Sequence, residues 1–110
     1  MKEQYKQQIE LDKSTLRSLA EKGDDDQVVR LIDHTFTSDD EQKLISLSEL
    51  LLLMDFSNLI IDKHHSGYFL KCTSIDCTDF HNITKTSILL NAISEEYSVH
   101  YDGWGCDVSN

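Results

Sequence analysis

Three cysteines and five histidines are the residues of this chain that could carry nucleophilic or metal chemistry. A cysteine nucleophile needs an imidazole within proton-transfer distance and an oxyanion donor nearby. In the stretch VHYDGWGC, His100 precedes Cys106 on what we predict to be a strand. Alternation would place His100, Asp102, Trp104 and Cys106 on one face, but the ends of that row would be about 20 Å apart. We therefore expect no direct Cys–His couple and no catalytic residue.

Metal ligation is not supported by the spacing of the same residue types. His64 and His65 are adjacent, so on a strand their side chains would point to opposite faces. The C-x₄-C spacing of Cys72 and Cys77 lies at the loose end of that seen in structural zinc knuckles. A mixed Cys and His site across neighbouring strands is geometrically open. We expect no bound metal and no cofactor.

The only tryptophan, Trp104, lies between Gly103 and Gly105. A phosphate-binding loop would need a defined glycine spacing and a helix directly after it, and this segment has neither. The dipeptide Asp102-Gly103 is typical of a turn or bulge, because glycine accepts a positive φ. We interpret the glycines as a kink that redirects the indole. The indole then either packs within the fold or stays partly exposed as an anchor for a protein partner.

Acidic residues dominate the composition: twenty Asp and Glu against ten Lys and Arg give a formal net charge of −10. Nucleic-acid binding draws most of its affinity from cations that neutralise phosphates, so we expect no direct nucleic-acid binding. The charge suits a basic protein partner, although it also serves solubility. The run Asp24, Asp25 and Asp26 lacks the further spaced ligands of a cation site, and we interpret it as a charged turn.

The N-terminal residues, the longest apolar run and the chain length indicate where the protein is located and how many domains it forms. The N-terminal residues MKEQYKQQIELDKS contain no apolar core of a signal peptide. The longest apolar run, LLLLM, is far shorter than the roughly twenty residues that span a bilayer. We expect a cytoplasmic protein with reduced cysteines and no membrane contact. A chain of 110 residues forms one domain, 1–110.

Hydrophobic periodicity predicts a leading helix, residues 1–23, followed by a βαββαβ core, residues 27–106. Asp12 interrupts the apolar stripe of the first helix, and Gly23 lies where its C-terminal cap belongs. In the first strand, alternation puts Ile32, His34 and Phe36 on one face, opposite Val29 and Leu31.

The second predicted helix begins with a capping box of Ser38 and Glu41, and its buried stripe consists of Leu44, Leu47, Leu51 and Met54. A hairpin with the turn HSG follows. Thr78 or Asp79 caps the third helix, whose stripe consists of Phe80, Ile83, Leu90, Ile93 and Tyr97. Strand 99–106 closes the chain. The order predicts a ferredoxin-like α+β two-layer sandwich with an extra N-terminal helix, both crossover helices on one sheet face and the first strand beside the last.

Two segments of the sequence resemble those of a known family. VHYDGWGCDV, preceded by TSILLNAISEEYS, resembles the closing helix and strand of the RraB family, bacterial protein regulators of ribonuclease E, in which a YDGWG strand ends the domain. LIDHTFTSDDEQKLISLSELLLLMDF resembles that family's first strand and long leucine-bearing helix. The resemblance implies a ferredoxin-like fold, no catalytic activity, and binding to a ribonuclease E-type partner that restrains RNA decay. Only the signature Tyr101 to Gly105 carries over to this chain.

Our functional hypothesis is a non-enzymatic regulator that binds and inhibits a ribonuclease E-type endoribonuclease. The alternative is a cytosolic immunity protein or antitoxin that masks the basic active site of a nuclease toxin. A small-molecule or metal-dependent enzyme on the same scaffold is the third hypothesis. The candidate partner-binding residues are Tyr101, Asp102, Gly103, Trp104, Gly105, Asp24, Asp25 and Asp26.

Overall fold

The computed structural model describes residues 2–109, which form three helices and one four-stranded antiparallel sheet. The elements in chain order are α1 (Glu3–Glu21), β1 (Arg30–Ser38), α2 (Glu41–Leu53), β2 (Ser57–His64), β3 (Gly67–Asp76), α3 (Phe80–Glu96) and β4 (His100–Gly105). Over this described range, no helix is both long enough and apolar enough to cross a bilayer.

The strand order β2-β3-β1-β4 confirms the predicted ferredoxin-like sandwich, with the first strand beside the last. Helix α2 packs against β1, β2 and β3, and α3 packs against β4. Side chains of both helices meet the same sheet face in one core cluster, as right-handed crossovers require. The N-terminal helix α1 packs on α3. The cluster contains Phe36, Leu44, Leu47, Leu51, Leu70, Leu90, Ile93 and Tyr101.

The alternation predicted for β1 is confirmed. Ile32, His34 and Phe36 are buried beneath the helices, whereas Leu31 on the opposite face is exposed. Because a strand's side chains alternate between faces, these three residues fix which side of the sheet faces the core.

Of the N-terminal caps predicted for α2 and α3, only that of α3 is confirmed. The capping box of Ser38 and Glu41 is wrong, because Ser38 still pairs with Tyr68 as the last residue of β1. Asp40 caps α2 instead, and its carboxylate accepts the backbone N–H of Gln42 over 3.0 Å. The Asp79 cap of α3 is confirmed.

Three hydrophobic residues at the ends of α2 and α3 are exposed, one of which, Phe80, belongs to the predicted stripe of α3. Phe80 is the first residue of α3 and is 45% exposed, with the Lys13 ammonium 6.0 Å from its ring centroid. Leu52 and Leu53, which lie outside the predicted stripe of α2, are at the end of the helix and face solvent. The buried leucines of α2 are therefore the three at helical spacing.

The polar helix α1 buries a polar face. Its buried residues are Gln8, Asp12 and Leu19. Asp12 therefore lies within the face that α1 buries and does not interrupt that face. Gly23 follows the helix with φ of 86°, which confirms its place at the C-terminal cap.

The β2–β3 hairpin turns at His65 and Ser66. His65 has a positive φ, so its ring lies 4.4 Å from that of His64 and the expectation of opposite faces is wrong. Gly67 already pairs with His64, and a Cβ at Gly67 would lie 2.9 Å from the Ser38 carbonyl oxygen. Glycine is therefore required there for close approach of two backbones.

Candidate functional site

The signature strand β4 contains a β-bulge. Thr35 pairs with Gly103 and Phe36 pairs with Tyr101, which leaves Asp102 as the extra residue. Gly103 has φ of 108°, a backbone conformation that favours glycine. The predicted kink is therefore confirmed.

The bulge changes which side chains share a face. Tyr101 and Trp104 are three residues apart, yet both lie on the helix side of the sheet, paired with Phe36 and His34. The prediction that Asp102 and Trp104 share a face is wrong, because an extra residue reverses the alternation. Asp102 is exposed on the other side.

Trp104 connects the sheet to α1 through a buried carboxylate. Its indole Nε1 donates to Asp12 Oδ1 over 2.9 Å, and Gln8 Nε2 donates to the same oxygen over 2.9 Å. Ser87 of α3 donates its hydroxyl to the other carboxylate oxygen. Asp12 is fully buried and Trp104 is half-buried. Three neutral donors from α1, α3 and β4 thus converge on one carboxylate, which ties the extra helix to the sandwich.

A second buried carboxylate holds the turn after α1. Asp24 forms an ion pair with Arg30, and both side chains are more than nine-tenths buried. Asp24 also accepts the backbone N–H of Ser109 over 2.7 Å and the hydroxyl of Thr78. Burial opposes its ionisation, but the hydrogen bond from Ser109 and the Arg30 guanidinium outweigh burial and hold the pKa of Asp24 below its usual value.

The buried histidine of β1, His34, forms with Ser74 the contact that most resembles a catalytic pair. His34 Nε2 lies 2.9 Å from Ser74 Oγ, and Nδ1 lies 3.0 Å from the Tyr101 hydroxyl. Burial lowers the pKa of His34 to about 4, so the ring is neutral at pH 7. In a serine triad a carboxylate holds the second nitrogen and stabilises the imidazolium, whereas a phenol takes that place here. The arrangement therefore satisfies buried polar atoms in the core.

Two of the three thiols, those of Cys72 and Cys106, are held in their protonated form. Burial, helped by the charge of Asp33, raises the pKa of Cys72 to about 12. Burial also raises the pKa of Cys106, against the influence of Arg30, whose Nη1 lies 4.0 Å from its sulfur. A thiolate is the reactive species, so neither environment activates a nucleophile. Residues 2–109 contain no group of three or more His, Cys, Asp or Glu side chains arranged to hold a metal ion.

The sheet face turned away from α2 and α3 is here called the open face. Register places Ile60, Lys71 and Thr35 in one cross-strand row and Leu31 beside Ile75 in another. The open face consists of Leu31, Asp33, Thr35, Thr37, Ile60, Asp62, His64, Phe69, Lys71, Thr73, Ile75, His100 and Asp102. A depression of about 490 Å³ lies on it, with Asp33, Asp102 and Lys71 among its lining residues.

The structure separates the residues of the predicted site. Of the signature, only Asp102 presents an exposed side chain, since Tyr101 is buried and Trp104 faces α1. Gly103 and Gly105 pair with β1 through their backbones. In the acidic turn, Asp25 and Asp26 are exposed, whereas the side chain of Asp24 is buried.

Sequence reasoning missed Asp12, Ser87 and Arg30, which form the two buried networks. Polar residues on helices and strands look solvent-exposed when their partners are distant in sequence, as with Asp12 and Trp104. An aspartate within an apolar helical stripe was the one available indication.

Fold and site together define a small acidic protein of ferredoxin-like architecture with an additional N-terminal helix. A family model described as regulator of ribonuclease activity B, RraB, matches residues 9–106. The chain therefore belongs to the RraB family, and the match includes both Asp12 and the signature strand. This membership indicates a regulator of ribonuclease activity, with a ribonuclease as protein partner. No curated protein matches the chain in a sequence comparison.

Proposed function

We propose that this protein is a non-enzymatic regulator that binds and inhibits an endoribonuclease of the ribonuclease E type in the cytoplasm, and so modulates RNA decay. The family match over residues 9–106 carries the proposal. The chain acts as a single RraB-like domain, residues 1–110, with residues 27–106 as its ferredoxin-like core.

The chemistry of the interior supports a binding role. His34 and Cys72 are buried, with pKa values moved away from catalytic use, and both lie in the core. Function then depends on surfaces, and the surface carries the excess of acidic residues. Carboxylates attract an Arg- and Lys-rich protein and repel phosphates, so inhibition proceeds through contact with the enzyme and not through capture of RNA.

Among the candidate contact residues we assign two different roles. Asp102, Asp25 and Asp26 are exposed and are available to a partner. Trp104 and Asp24 make buried contacts, and we assign them to support of the surface.

The test uses the ribonuclease E-type enzyme encoded in the same genome. We expect saturable binding in titration calorimetry and slower cleavage of a single-stranded RNA oligonucleotide when this protein is added. RNA incubated with this protein alone should stay intact. Absence of binding would refute the proposal. Recovery of a single nuclease toxin, instead of the ribonuclease E-type enzyme, by affinity purification from the native host would refute it in favour of an immunity role.

A further inference from the structure

Aliphatic side chains are exposed on the open face. Leu31, Ile60 and Ile75 are 54%, 56% and 67% exposed, and Leu31 lies directly beside Ile75 in the register. The uncovered face of an antiparallel sheet is normally polar. Aliphatic residues spread over three of its strands give this face apolar area that a partner could bury.

Carboxylates accompany these aliphatic groups without a fixed cation. Asp33 and Asp102 line the same depression, and Asp62 lies in the neighbouring row. Within residues 2–109, no Lys or Arg forms a salt bridge with any of the three. Lys71, the one Lys or Arg residue of the open face, has its ammonium 5.7 Å from the centroid of the Phe69 ring. Three carboxylates against one lysine give the face a net negative charge, and the one imidazole contact to these carboxylates is that of His100 Nε2, 3.7 Å from Asp102 Oδ1.

We propose that the open face is the docking site for a segment of the ribonuclease that is rich in Lys and Arg and also carries aliphatic side chains. This inference rests on the proposed function. The three carboxylates, which no Lys or Arg of the described residues pairs, supply the charge complementarity, and Ile60 with the Leu31 and Ile75 pair receives the aliphatic groups. Four strands spaced about 4.8 Å apart make a surface roughly 15 Å wide, which fits one helix or one extended segment.

The test compares charge reversals on two faces. The double variant Asp33→Lys with Asp102→Lys changes the open face. Glu49→Lys with Glu96→Lys, on exposed sides of α2 and α3, produces the same change in net charge elsewhere. We expect the open-face variant to bind the purified ribonuclease E-type enzyme at least about tenfold more weakly in calorimetry, and the control to stay within about twofold of the wild type. Circular dichroism verifies that both variants are folded.

A third variant, Ile60→Ser, removes an aliphatic contact without changing charge. We expect about a fivefold weaker affinity, which low salt should not restore. Equal losses in the open-face and control variants would mean that overall charge, and not this face, determines binding, and would overturn the inference. So would wild-type affinity in both Asp33→Lys with Asp102→Lys and Ile60→Ser. Either result leaves the proposed function intact, whereas a wild-type protein that fails to bind refutes the proposed function itself.

Discussion

Replacing Trp104 by Phe tests how α1 is held on the sandwich. The indole Nε1 donates to the buried Asp12 carboxylate over 2.9 Å, and Phe keeps an aromatic ring without that donor. A hydrogen bond to a carboxylate contributes about 1.5–3 kcal/mol, and its loss leaves a buried oxygen with fewer donors. We expect the free energy of unfolding to fall by about 2 kcal/mol. For a chain of this size that corresponds to a decrease in Tm of roughly 9 °C.

The assay is urea and thermal unfolding followed by far-UV circular dichroism, for the wild type, Trp104→Phe, Asp12→Ala and the double variant. Because both single variants remove the same contact, the double-mutant cycle should give a coupling energy of about 1–2 kcal/mol. Trp104→Ala should destabilise further, because the half-buried ring is lost as well. At a temperature where all variants are folded, partner affinity should stay within about twofold of the wild type.

Two results would contradict this reasoning. Additive effects of Trp104→Phe and Asp12→Ala would mean that the hydrogen bond does not stabilise the fold. Unchanged stability in Trp104→Ala, together with lost partner binding, would place the indole in the interface and reverse the roles assigned here.

Three further predictions concern the other buried groups. Arg30→Met leaves the Asp24 carboxylate buried without its cation, so unfolding in urea should show a loss of about 3 kcal/mol or more; a loss below about 1 kcal/mol would contradict a structural ion pair. His34 binds a proton near pH 4 when folded and near pH 6.5 when unfolded, so stability should fall by up to about 3 kcal/mol as pH decreases from 6.5 to 4. His34→Gln should flatten that decline in urea midpoints measured across the range, and an unchanged slope would refute the assignment. Cys72 should resist iodoacetamide at pH 8 in the native protein and react in urea, as judged by peptide mass spectrometry, and rapid native labelling would show that the thiol is accessible.

The parts of the fold that the sequence predicts correctly depend on local pattern. Alternation along β1 identifies Ile32, His34 and Phe36 as buried, because a strand repeats every two residues whatever lies above it. Asp102-Gly103 predicts the bulge because a positive φ is a property of the residue itself. The order of the elements then predicts the first strand beside the last, because right-handed crossovers place both crossover helices on one face of the sheet.

The parts that were wrong depend on contacts between distant residues. The burial of Asp12 is decided by Ser87 and Trp104, which lie on other elements, so no periodicity within α1 could show it. The face of Trp104 depends on counting the bulge residue in β4, since one extra residue moves every later side chain to the opposite side. The open face, too, emerges only when the strands are placed in register.

The bulge places neighbouring residues of one signature in different layers, so two substitutions should separate fold from contact. The Asp102 side chain is exposed, and within residues 2–109 the one Lys, Arg or His nitrogen within 4.0 Å of its carboxylate is His100 Nε2, at 3.7 Å. Asp102→Asn should therefore change the free energy of unfolding by less than about 0.5 kcal/mol while weakening partner binding several-fold. Trp104→Phe should lower the free energy of unfolding and leave partner binding nearly unchanged, because the hydrogen bond of the indole lies under α1. If Asp102→Asn unfolds more easily and binds normally, the signature supports the fold on both sides of the sheet, and the contact with the ribonuclease lies elsewhere.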